Sequence, residues 1–110
     1  TLFPYTTLFR SNESLAVALL TNLLKNAFVH NIDGGHIRIT VTKNGITFRN
    51  SGVEHPLNKE HIFERFYQGS KKEGSTGLGL AIADSICRLQ HLNIKYYFEQ
   101  NEHCFEISQS

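Results

Sequence analysis

An α+β fold is predicted for this 110-residue chain, and two observations predict it. Two stretches carry apolar residues at the three-to-four spacing of a helix, and two pairs of segments alternate apolar and polar residues about a turn signal, as antiparallel hairpins do. The length suits one domain with one core and is too short for two. With 40% hydrophobic and 19% charged residues, the composition is that of an ordinary soluble globular domain, which excludes a disordered chain. The formal net charge is +1, and only Lys71 and Lys72 are adjacent among the basic residues. There is thus no electrostatic case for nucleic acid or an anionic membrane as partner. Cys87 and Cys104 form no CxxC and no zinc-type spacing with histidine, so they are expected to be reduced and structural. No run approaches the roughly 18 apolar residues of a membrane span.

Residues 1–11, Thr1 to Ser11, follow neither a helical nor a strand period and are broken by Pro4. They resemble the in-frame translation of a sequencing-adapter oligonucleotide. The expectation is a non-native segment fused to a domain of residues 12–110 that has lost its natural start; the alternative is a genuine edge strand, which Leu, Phe, Tyr and Thr suit. From Asn12 to His30, Leu15, Leu19 and Leu23 recur with Ala16, Leu20, Leu24 and Ala27, a helical pattern that Asn12 or Ser14 could cap. His36 to Thr42 alternates strictly, Asn44-Gly45 is a hairpin turn signal, and Ile46 to Asn50 alternates back, which predicts an antiparallel pair with one buried face. Residues 51–76 hold breaker signals at Ser51-Gly52, Pro56 and Gly74, with only a short helical pattern near 59–67. A loop of that length in a compact domain is usually functional or mobile. Leu78, Ile82, Ile86 and Leu89 then form a helical stripe with Ala83 and Cys87 beside it. Ile94, Tyr96 and Phe98 alternate, Gln100-Asn101-Glu102 reads as a polar turn, and Phe105 and Ile107 close a second hairpin.

Two features carry chemistry. Gly74 to Ile82 is a glycine-rich loop running into an amphipathic helix. Glycines admit close backbone approach, and the first N–H groups of a helix lack intrahelical partners, so the pattern suits a phosphate. On the first helix, Asn22 and Asn26 fall about 20° either side of Leu15, at the edge of the apolar stripe. A buried, unpartnered amide costs about 1–3 kcal/mol, so two of them there call for a ligand or a network; the alternative is a solvated stripe edge, since Lys25 and Thr21 lie further round. Their carbonyl oxygens are hard donors suited to a magnesium ion shared with phosphates.

The asparagine helix Asn22-Leu23-Leu24-Lys25-Asn26, then Asn50-Ser51-Gly52, Phe63-Glu64-Arg65-Phe66 and Thr76-Gly77-Leu78-Gly79-Leu80, in that order, resemble the ATP-binding catalytic domain of bacterial sensor histidine kinases. The likeness runs from about Glu13 to Ile107. It implies a two-layer α/β sandwich of the histidine kinase-like ATPase (Bergerat) type, with a mixed, mostly antiparallel sheet, helices on one face and a mobile ATP lid. It also implies ATP and Mg²⁺ as cofactors, with Asn26 holding the metal and Asn22 assisting. Asn50 and Gly52 would meet adenine. Arg65, with Lys71 or Lys72, would approach the phosphates, and Thr76, Gly77, Leu78, Gly79 and Leu80 would wrap them. His30, Phe63 and Phe66 would complete the nucleotide site, with Asn26 and Arg65 in the catalytic roles.

The reaction so implied is transfer of the γ-phosphoryl group to a histidine on a separate dimerisation domain. That domain would in turn serve a response regulator, in a homodimer anchored in a bacterial inner membrane with this domain in the cytoplasm. In the resembling family the acceptor histidine precedes an acidic residue, whereas none of His30, His36, His55, His61, His91 and His103 does. No acceptor is therefore expected here. Asn50 stands where the family usually has aspartate, Ser75 where many members have glycine and Val29 where many have lysine; the last hairpin lacks the usual closing glycines. Two other classes remain open on these features: an anti-sigma-type serine kinase, against which the Phe63–Phe66 motif speaks, and a catalytically degenerate nucleotide-binding or docking module.

Overall fold

The computed structural model describes residues 13–67 and 77–109. The expectations for residues 1–11, for Asn12 as a cap, and for Lys71, Lys72 and Thr76 lie outside the described residues. Helix α1 (Glu13–Val29) has Glu13 in its first turn, where a carboxylate complements the helix dipole. It is followed by β1 (Ile37–Val41), β2 (Gly45–Asn50), α2 (Gly79–Leu89), β3 (Leu92–Glu99) and β4 (Glu102–Gln109). The strands form one sheet in the order β1-β2-β4-β3, every described pairing antiparallel. Both helices lie on one face, packed on each other, with α1 over β2 and α2 over β3. This is the expected α+β sandwich.

The core is the meeting of those layers. α1 contributes Ala16, Leu19, Leu23 and Ala27, the inner line of the predicted stripe, while Leu24 at its far edge is exposed. In α2 the stripe is displaced from the predicted one. Ala83, Ile86 and Cys87 are buried, whereas Ile82 and Leu89 are 42% and 67% exposed. The small Ala83 and Cys87 pack beside Ile86 in the core, while Ile82 and Leu89 fall to the rim. Ile46, Phe48, Tyr96, Phe105 and Ile107 complete the core from the sheet.

β1 departs from expectation more sharply. Its alternation is real, and Ile37, Ile39 and Val41 pair opposite Asn50, Phe48 and Ile46. Yet Ile39 and Val41 are 49% and 63% exposed, because β1 is the edge strand, beside the one that α1 covers. Near 59–67 the structure has successive i→i+3 turns (His61 N to Asn58 O, Glu64 N to His61 O, Tyr67 N to Glu64 O) in place of a helix.

Both hairpin turns end one residue earlier than the signals suggest. In the first, Val41 pairs with Ile46 and the Thr42 amide donates to the Gly45 carbonyl at 2.9 Å, so the turn is Lys43-Asn44 and Gly45 opens β2. Gly45 answers a different need: a Cβ there would lie 2.1 Å from the Ile107 carbonyl oxygen of β4. Gly45→Ala is accordingly expected to destabilise the domain by roughly 2 kcal/mol by forcing β2 from β4. Denaturant titration measures this, and an unchanged midpoint would refute the close approach. In the second hairpin Glu99 pairs with Glu102, leaving Gln100 and Asn101 as the turn, at φ 53° and 61°. Two positive φ values make the primed turn that matches strand twist, built here without glycine. Glu102 is therefore the first residue of β4 and not a turn residue. It is buried on the sheet face away from the helices, taking Arg38 Nη2 at 2.6 Å, Arg38 Nε at 3.1 Å and His36 Nε2 at 2.6 Å. The hydrogen bond from Arg38 holds its carboxyl below the usual range.

Candidate functional site

The described site residues fall in two contacts, Asn22 of α1 against Gly79 at the start of α2, and Gly52, two residues beyond β2, against His30 just past the end of α1. Asn50 ends β2 and is 2% exposed. Its Nδ2 donates to the Ser51 carbonyl at 2.7 Å, which fixes the orientation of the amide, since only the nitrogen can donate. The other atom, Oδ1, is buried without a hydrogen-bond partner among the described residues. Such an atom costs about 1–3 kcal/mol and asks for a donor that no described residue supplies.

Gly52 is buried two residues on, and a Cβ there would stand 2.9 Å from the His30 carbonyl oxygen and 3.0 Å from the His103 ring. His30 thus contributes its backbone to the wall beside Gly52. Ser51 anchors the same corner: its Oγ accepts the His36 amide at 2.8 Å and donates to Asn31 Oδ1 at 2.5 Å.

On α1, Asn22 and Asn26 are half-buried at the stripe edge, as their spacing predicts. Asn22 Nδ2 donates to the Ala18 carbonyl at 2.8 Å, so its Oδ1 is the end left for other work. That oxygen lies 3.3 Å from where a Cβ on Gly79 would be, which brings Asn22 against the first residue of α2. The absence of a side chain at Gly79 keeps that space open. Asn26 makes no side-chain hydrogen bond among the described residues. The N-cap of α2, Leu78, makes no side-chain capping hydrogen bond, and the Ile82 amide donates to the Leu78 carbonyl at 2.9 Å. Gly79, Leu80 and Ala81 begin the helix before that bond, the position where N–H groups can receive an anion.

Gly77 and Phe66 meet across the stretch that separates them. The Phe66 amide donates to the Gly77 carbonyl at 2.6 Å, and a Cβ on Gly77 would fall 2.6 Å from Phe66 Cα. Both have positive φ, 66° and 73°. For a bulky phenylalanine this is strained, a condition that clusters at functional sites. The Phe66 ring is exposed and carries the Arg65 guanidinium 5.3 Å from its centroid. Phe63 instead turns inward, edge-on to Phe105 at 6.3 Å, so its part is to pack the loop onto the sheet. Phe63 and Phe66, two members of one motif, are thus divided between core and surface.

Several other groups are settled by their surroundings. Burial pushes the Cys87 thiol up to about 12, and Cys104 is also raised by burial, which leaves neither as a nucleophile. His61 is raised by its hydrogen bond to Glu64, on the surface. Among the described residues no group of three or more His, Cys, Asp or Glu could hold a metal ion, so any divalent cation would depend on amide oxygens and phosphates. One pair of contributors escaped the sequence reading: His103 and Tyr96, which hold the loop after Gly52. The signal was available, because the period of two that puts Phe105 and Ile107 in the core puts His103 on the same face.

The sequence matches the family described as histidine kinase-, DNA gyrase B-, and HSP90-like ATPase over residues 11–108. Sensor histidine kinase RppB of Synechocystis is 44% identical over 84 residues, covering 68% of this chain and 18% of the relative. Heme sensor protein HssS of Staphylococcus aureus is 40% identical over 93 residues, covering 80% of this chain and 20% of the relative. The chain thus spans about a fifth of the length of these relatives. The catalytic domain of histidine kinase ThkA superposes with a TM-score of 0.72 at 26% identity, covering 87% of this chain and 66% of that one. The mycobacterial sensor histidine kinase MprB has the same fold, with a TM-score of 0.68 at 23% identity over 88% of this chain and 72% of that one.

Proposed function

This chain belongs to the histidine kinase-, DNA gyrase B-, and HSP90-like ATPase family, as an ATP-binding catalytic domain of the sensor histidine kinase kind, and we propose that it binds Mg·ATP and presents the γ-phosphoryl group to a histidine on a separate dimerisation domain. The observation that carries the reading is the buried, unpartnered Oδ1 of Asn50, two residues before Gly52, whose backbone packs directly against the His30 carbonyl and the His103 ring. An adenine amino group offers the donor that this oxygen lacks. The amide oxygens of Asn26 and Asn22 would hold the magnesium ion, which supplies neutralising charge to the phosphates when bound. The amides of Gly79, Leu80 and Ala81 would receive the phosphate oxygens, and Arg65 would add a cation from the loop. Lys71, Lys72 and Thr76 belong to the same proposal as further phosphate contacts.

The work of the domain is then to bind, orient and neutralise, as phosphoryl transfer mostly demands. The nucleophile comes from elsewhere. None of the six histidines stands before an acidic residue, and His103 and His61 are committed to hydrogen bonds within the fold. A response regulator downstream, a homodimeric full-length protein and its anchoring in a bacterial inner membrane complete the reading. No helix among the described residues is long and apolar enough to cross a membrane.

Incubation with γ-labelled ATP and a supplied sensor-kinase dimerisation domain tests the transfer. Acid-labile label is expected on the dimerisation domain and none on the isolated chain. Acid-labile label on the chain itself would overturn the reading of its histidines. Acid-stable label on a serine substrate would move the chain to the anti-sigma class, and binding without any transfer would make it a docking module.

A further inference from the structure

Next to Asn50 lies a second cluster, built around His103. In the β2–β4 register Asn50 pairs with His103, and in the β3–β4 register His103 pairs with Phe98. Directly opposed residues share a sheet face and touch, so the His103 side chain is the cross-strand neighbour of the amide assigned to the base. It is 4% exposed, and both ring nitrogens are engaged. Nε2 lies 2.7 Å from the Val53 carbonyl oxygen and Nδ1 lies 2.7 Å from the Tyr96 hydroxyl. A carbonyl only accepts, so Nε2 carries the proton, and Nδ1 of the neutral ring accepts from the Tyr96 hydroxyl. The Tyr96 oxygen in turn accepts the Leu57 amide at 2.9 Å. Every donor in this chain has one consistent role. It fastens the loop after β2 at both ends, Val53 and Leu57, and sets the imidazole edge against Gly52.

We propose that His103 and Tyr96 are a positioning pair for the nucleobase end of the site, holding Asn50, Gly52 and the loop to Leu57 in the arrangement that receives the base, and that proton uptake by His103 releases this hold. The proposal rests on the nucleotide reading of the same site. Protonation would make both ring nitrogens donors, and the Tyr96 hydroxyl proton would lose its acceptor inside the domain. The groups that face the ring are Tyr96 and Phe98 from β3, Asn50 from β2, and Gly52, Val53 and His55 from the loop. None of them is a carboxylate, and His55 opposes an added charge. Glu102, the preceding residue, is committed on the opposite face to Arg38 and His36. Burial accordingly lowers the affinity of His103 for protons, so the hold is intact above the ordinary histidine range and is lost as the pH falls below it.

Calorimetry with ATP between about pH 7.5 and about pH 5, on the full chain and on His103→Gln, Tyr96→Phe and His55→Gln, tests this together with amide and imidazole nitrogen spectra of the same samples. Glutamine retains one donor and one acceptor and does not titrate, so the difference between its profile and the wild-type profile cancels the protonation of ATP itself. His103→Gln is expected to bind within about threefold of wild type at the upper pH and to lack the wild-type excess loss on acidification. Tyr96→Phe keeps the ring packing and is expected to weaken binding about tenfold at the upper pH while freeing the Leu57 amide to exchange. His55→Gln is expected to keep the wild-type excess loss. Parallel profiles for wild type and His103→Gln, or unchanged affinity in Tyr96→Phe once its Leu57 amide exchanges freely, would overturn the proposal. If the wild type binds no ATP, the nucleotide reading fails and the spectra decide the hold alone. A His103 ring protonated at Nε2, with Val53 and Leu57 resonances that move as it titrates, supports the hold, and any other tautomer or a static loop removes it.

Discussion

Asn26→Ala is expected to lower the affinity for Mg·ATP about 100-fold, or about 2.8 kcal/mol, and to leave the free domain folded. Asn26 lies on α1 between the buried Leu23 and Ala27 but is itself only half-buried. Its side chain makes no hydrogen bond among the described residues, so the amide contributes little to the ligand-free fold. Alanine is also the better helix former. Calorimetry with and without magnesium separates the metal from the nucleotide. The wild type should need the metal for full affinity, and the variant should respond little to it. Equal affinities in the two proteins would remove Asn26 from the site.

Asn50→Ala should separate stability from binding in another way. Removing the amide deletes the hydrogen bond to the Ser51 carbonyl, worth about 1 kcal/mol, but also the unpartnered buried oxygen, which costs about 1–3 kcal/mol. On these two terms the free domain should be unchanged or up to about 2 kcal/mol more stable. Binding has no such compensation. The adenine amino group would face a methyl where it had an acceptor, and affinity for ATP should fall roughly 10- to 100-fold. Denaturant midpoints and calorimetry give the two numbers separately. A variant that is strongly destabilised would mean that the amide belongs to the fold and not to the ligand.

What could be read in the sequence was whatever depends on near neighbours. The period of α1 and the alternation of the strands are local, and both placed their elements to within a residue or two. Asn22 and Asn26 were legible for the same reason, since helical geometry alone puts amides at the edge of a stripe. The failures share the opposite cause. Asn44-Gly45 has the chemistry of a turn, and no local signal reveals that Gly45 is wanted instead by Ile107 on a strand about 60 residues away. Glu102 looks like a turn residue until Arg38 of β1 and His36, just before that strand, reach it across the sheet. Ile39 and Val41 carry a core pattern, but which strand lies at an edge is a property of topology. His103 was different, for its face was legible and only its partners were not.

The strand order also bears on how the domain comes into being. β4 is the last of the four strands to be made, yet it alone joins the two halves of the sheet, lying between β2 and β3. During synthesis the first hairpin, α1, α2 and β3 all emerge before the strand that connects them. Until then the inner edge of β2 is an unpaired row of amides and carbonyls, open to any other nascent chain. The domain therefore closes in one late, long-range step, and its greatest exposure to misassembly falls in the interval just before β4 leaves the ribosome.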